Sequence, residues 1–135
     1  MSNVFNVGTS VPAQGSGSLN RTVTSTPILL AQFGLAVPQG ANRVLLSATV
    51  GVRSSLLAPV LIFTILRGNQ VIYTSREAVL LSVGQEQTVT VHAIDLNVPV
   101  TSNQGYSLTV ELENSLLTGA VVTGPVEFSG VSYTL

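Results

Sequence analysis

Apolar and polar residues alternate with period two along much of the chain. Over residues 43–53, Val44, Leu46, Ala48, Val50 and Val52 share one face, while Leu45, Ser47, Thr49 and Gly51 share the other. Tyr106, Leu108, Val110 and Leu112 alternate in the same way with Ser107, Thr109 and Glu111, and Val89, Val91 and Ala93 with Thr88, Thr90 and His92. Successive strand side chains point to opposite faces, so this period predicts half-buried strands. No segment carries a convincing helical repeat. Two runs, Val60 to Leu66 and Ile28-Leu29-Leu30-Ala31, are apolar on both faces. With no helix to cover the second face, a second subunit is the expected cover.

Turn signals separate these runs. Pro38 to Asn42, Arg67-Gly68-Asn69-Gln70, Val83 to Glu86, Asn103-Gln104-Gly105 and Thr123-Gly124-Pro125 read as turns, with Gly68-Asn69 a hairpin signal. Eight or nine short strands at roughly 8–12-residue spacing predict an all-β sandwich or barrel. In the last strand Val126 and Phe128 lie on one face, but Val131, Tyr133 and Leu135 on the other. A bulge at Ser129-Gly130 is the expected cause, because one extra residue flips every later side chain.

Composition narrows the function classes. The 135 residues include 45% apolar but only 8% charged, with five Arg and no Lys, six Asp or Glu, one His and no Cys or Trp. No disulfide, thiolate zinc site, lysine Schiff base or P-loop is available. A net charge of −1 with no basic cluster gives nucleic-acid phosphates nothing to bind, so no nucleic-acid partner is expected. Ser, Thr, Asn and Gln number 44, so the solvent face is neutral and polar, as in proteins that pack against copies of themselves. No export signal and no run near the roughly 20 apolar residues of a membrane helix is visible, so synthesis in the cytosol without a signal peptide and no membrane partner are expected.

Residues 1–20 carry no charged side chain. Val4, Phe5, Val7 and Val11 form an apolar patch, followed by Gly15, Ser16, Gly17 and Ser18, which have linker composition. The reading is a connector arm over 1–20, with a Gly/Ser hinge, ahead of a domain at 21–135. Nine extended residues reach roughly 30 Å, comparable with the width of a domain of this size. Such an arm could dock on a neighbouring subunit, fold back on its own domain or fray.

Chemistry is sparse. His92 and Asp95 lie three residues apart and so face opposite sides of a strand. No Gly-x-Ser-x-Gly surrounds any serine, and no catalytic constellation is found, so an enzyme is not expected. Glu111 and Glu113 share a strand face and could bind calcium, but a solvent-facing role needs no ligand. No metal or other cofactor is expected.

Val126-Glu127-Phe128-Ser129-Gly130-Val131 resembles the Phe-Ser-Gly ending of complement and tumour-necrosis-factor type globular heads, and Phe63 to Ile72 resembles their strand-turn-strand pattern. With Arg43 to Gly51 and Ile94 to Pro99, residues 27–135 resemble carboxy-terminal domains of exosporium collagen-like proteins of spore-forming bacilli. The plan, a head behind a short arm, is similar to subunits of endospore appendage fibres. No collagen tract precedes the head. The resemblance implies a jelly-roll β-sandwich of about eight to ten antiparallel strands, a homotrimer and a place on the spore surface. Leu61, Phe63, Ile65 and Phe128 are then the expected oligomer core. The expected function is a self-assembling structural subunit of an endospore fibre or exosporium layer, with copies of itself as partners and other spore-surface proteins as further candidates. The alternative is a trimeric head that binds a receptor or glycan.

Overall fold

The alternating runs form strands with the expected faces: Val44, Leu46, Val50 and Val52 point inward and are buried, as are Val89, Val91, Tyr106, Leu108 and Val110. The computed structural model describes residues 3–56, 58–79, 82–114 and 118–135. Its described residues form nine strands and no helix. They are β1 (Asn3–Ala13), β2 (Arg21–Val23), β3 (Ile28–Val37), β4 (Asn42–Ser54), β5 (Val60–Arg67), β6 (Gln70–Ala78), β7 (Glu86–Leu96), β8 (Thr101–Leu112) and β9 (Ala120–Thr134). Two antiparallel sheets face each other in a jelly-roll sandwich. The first runs β1-β9-β4-β7, with β2 also on β9, and the second runs β3-β8-β5-β6.

Both inner faces supply the core. Phe63, Tyr106 and Phe128 are fully enclosed. Phe33 packs against Phe128 with ring centroids 4.8 Å apart and against Tyr106 at 5.8 Å. Its ring takes the space in front of Gly8 and Gly130, where an added Cβ would lie 2.5 and 2.7 Å from ring carbons.

That ring explains a departure from expectation. No bulge occurs at Ser129-Gly130; β9 pairs with β4 in unbroken register from Val126↔Val50 to Thr134↔Asn42. Gly130 and Ser132 face inward, because neighbouring rings and leucines fill the interior there, and Val131 and Tyr133 face outward. The irregularity lies earlier, where Thr123-Gly124-Pro125 is a bulge inside β9 rather than a turn. Asn103-Gln104-Gly105 likewise belongs to β8, paired with β3. The Arg67-Gly68-Asn69-Gln70 hairpin forms as expected, with Arg67 opposite Gln70.

The doubly apolar runs have two local causes. At 28–31 the register with β8 shifts between Leu29 and Ala31, so Leu30 and Ala31 are both buried. In β5, Leu61, Phe63 and Ile65 point into the sandwich while Ile62 and Leu66 are half-buried on its outer face.

Polar contacts hold the two sheets in place. On one side Asn6 Oδ1 accepts the Ala36 N–H at 3.0 Å, and Ser132 Oγ donates to the Ala36 carbonyl at 2.7 Å. On the other side Asp95 of β7 accepts from Arg67 at 2.8 and 3.0 Å and from the Tyr106 hydroxyl at 2.9 Å. Asn42 is 1% exposed; its side chain donates to the carbonyls of Pro38, Gly40 and Val98 and accepts the Val98 N–H, tying two loops at one end.

Candidate assembly face

The outer face of the first sheet is built from cross-strand rows, since residues directly opposite in an antiparallel pair share a face. One row reads Val7–Val131–Leu45–Ile94 across β1, β9, β4 and β7. The next reads Val4–Tyr133–Arg43–Leu96. Val4, Val7, Ile94 and Leu96 are 60%, 59%, 62% and 61% exposed, and what sets them apart is that they stand in adjacent rows of one face rather than singly. Beyond the first row the face turns polar, with Thr9–Ser129–Ser47–His92. Ser47 and Ser129 hydroxyls lie 3.2 Å apart within it. One half of the face is therefore largely apolar, with Arg43 and Tyr133 in its second row, and the other is hydroxylated.

The sequence-predicted sites fall as follows. Val4, Phe5, Val7 and Val11 are exposed, but they sit on β1, which pairs with β9 of its own chain from Asn3↔Thr134 to Ala13↔Val126. The segment is an edge strand of the sandwich here, because β9 offers it a long free edge. Gly15, Ser16, Gly17 and Ser18 form a closed turn: Ser18 N–H and Oγ both donate to the Gly15 carbonyl, and Gly17 takes the left-handed conformation at φ 79°. Ser16 Oγ also donates to Glu86 at 2.6 Å.

Leu61, Phe63, Ile65 and Phe128 require a correction. All four are 0% exposed within a single chain, so they hold its own two sheets together and offer a neighbour no surface. The apolar row of the first sheet, formed by side chains from four separate strands, was missed. Alternation set Leu45 on the face opposite the inward valines, but only the register places it in one row with Val7, Val131 and Ile94.

His92 is exposed and Asp95 is buried, on opposite faces as expected. His92 lines a hollow of about 460 Å3 with Leu45, Leu46, Tyr73, Ala93 and Ile94. Glu113 is engaged by Arg76 through two contacts of 2.9 and 2.7 Å, and this hydrogen bonding lowers its pKa. Among the described residues no three His, Asp or Glu side chains are grouped as a metal site would need. The Tyr106 hydroxyl is pushed well above the usual phenol range by burial, and further by its bond to Asp95.

No family model matches the chain, and no curated protein matches it in sequence. Its fold does match solved structures. The S. frugiperda tumour necrosis factor Eiger superposes with TM-score 0.54 at 9% identity, covering 98% of this chain and 94% of that one. The structure of infectious bursal disease virus, Gx strain, gives TM-score 0.52 at 11% identity over 99% of this chain and 32% of that chain. At these identities the likeness is one of fold, a jelly-roll sandwich shared with both.

Proposed function

We propose that the chain is a structural subunit that associates with copies of itself through the outer face of the first sheet, as a threefold head in a fibre or layer on a bacterial endospore. The observation that carries self-association is the apolar row Val7–Val131–Leu45–Ile94 with the exposed Val4 and Leu96 beside it. Four aliphatic side chains that are about three-fifths exposed would give about 4–7 kcal/mol on burial, at roughly 1.5–3 for a fully exposed one, against an association cost of about 4–15 kcal/mol. One such contact is marginal. The threefold state rests on the resemblance of residues 126–131 to the ending of complement and tumour-necrosis-factor type heads. The spore location rests on the resemblance of residues 27–135 to exosporium heads. The exposed Val4, Phe5, Val7 and Val11 serve as part of the face rather than as a free connector.

Sedimentation of the purified chain tests the assembly. A trimer at micromolar concentration, converted to monomer by Leu45→Asp with the strand content intact, is the expected result. A wild-type monomer overturns the reading. Immunogold labelling of spores with an antibody to the chain tests the location; label confined to the spore interior overturns it.

A further inference from the structure

The first sheet ends in β1 and the three-residue β2 on one side and in β7 on the other, and the second ends in β3 and β6; of the four long terminal strands three are interrupted. β1 shifts register against β9 twice, β3 shifts against β8 twice, and β6 shifts once against β5 and carries Arg76 and Glu77. Bulges and charges of this kind prevent an open edge from pairing with another chain. β7 has no register shift, and its two carboxylates, Glu86 and Asp95, lie near its two ends. It pairs with β4 in unbroken register over its whole length, from Glu86↔Arg53 to Leu96↔Arg43. It contains no proline, its inward carboxylate Asp95 is taken up by Arg67, and its outward side chains are neutral apart from Glu86 at one end and His92. Among the described residues no strand pairs with its other side.

We propose that β7 is a docking strand for β7 of a second copy, joined antiparallel about a twofold axis so that two first sheets become one continuous sheet. The occupant is argued from the chain itself: among its terminal strands longer than three residues only β7 keeps one register throughout, and a twofold pairing matches that long edge with itself. Overlap of all 11 residues centres the axis on Val91. That register sets Glu86 opposite Leu96 of the partner copy, Thr88 opposite Ile94 and Thr90 opposite His92, so no like charges meet. The contact uses the edge of the sheet, whereas the assembly proposed above uses its face, and it stands independently of that assembly.

The chain has no cysteine, so engineered pairs report the register directly. Directly opposite Cβ atoms lie about 4.5–5.5 Å apart and diagonal ones about 7–8 Å, and a disulfide needs the shorter separation. Mixing full-length Thr90→Cys and His92→Cys proteins under mild oxidation should give at least tenfold more disulfide-linked dimer than either variant alone or than Thr74→Cys on β6. The same mixture carrying Leu45→Asp in both chains should cross-link equally, which separates the edge from the face. Cross-linking no greater than with Thr74→Cys, or equal for each single variant alone, overturns the proposal. Loss of the cross-link in the Leu45→Asp background overturns the edge as an independent contact.

Discussion

Glycines that look alike in the sequence have unlike environments. At Gly51 an added Cβ would sit 1.9 Å from the Gly124 carbonyl oxygen and 2.5 Å from its carbon, both backbone atoms that cannot turn aside. At Gly105, also inside a strand, nothing lies within 4 Å. Gly51→Ala should therefore lower the urea midpoint steeply or prevent folding. Gly105→Ala should leave stability equal or higher by about 0.5–1 kcal/mol, since glycine in a strand interior costs that much. A second residue-scale prediction concerns Tyr106. Its hydroxyl is held protonated by burial and then by Asp95, so its folded pKa lies above the unfolded one. The stability this contributes is complete below the unfolded phenol value, about pH 10, and falls by about 1.4 kcal/mol per pH unit above it. Denaturant titrations between pH 9 and 11 should show that decline, with less of it in Tyr106→Phe. The Arg67–Asp95–Tyr106 contact was invisible in the sequence, because it joins three strands of two sheets and no spacing encodes it.

Strands whose two faces differ in polarity were legible. β4, β7 and β8 bury the residues that alternation assigned, and Gly68-Asn69 made the hairpin plain. Strands whose inward positions are small were not. Gly130 and Ser132 lie inside β9 because Phe33 and Leu35, from a strand distant in sequence, fill the space, and local pattern cannot show that. β1 is the clearest case. Its outward Val4 and Val7 gave the impression of a free sticky arm, while its inward Gly8 and Ala13 are too small to mark a buried face. Deleting residues 1–13 should cost several kcal/mol, since it removes the β9 ladder and the Asn6–Ala36 bond. Thermal unfolding should drop sharply, with amide exchange accelerated most at Ser129–Thr134. Unchanged unfolding and exchange would show that the segment contributes nothing to its own domain.

At the scale of the whole molecule, one half of the first sheet's outer face is largely apolar and the surface carries few charges. Self-association through that face should therefore change little between low and moderate sodium chloride, because screening acts only on charges. Sedimentation across that range should give one association constant within about threefold; a steep loss would assign the contact to the arginines and carboxylates instead. The pairing of Asn3 with Thr134 has a mechanical consequence. The first and last strands run antiparallel and side by side, so their outer ends lie together at one end of the sheet. Tension applied through residues 3 and 134 opens the β1–β9 ladder one hydrogen bond at a time, like a zip, and peels β1 away at low force. Tension entering through the sides of the sheets loads many bonds together in shear. A filament that had to bear load would be strong when its subunits were gripped by their flanks and weak when strung from end to end by their chain termini.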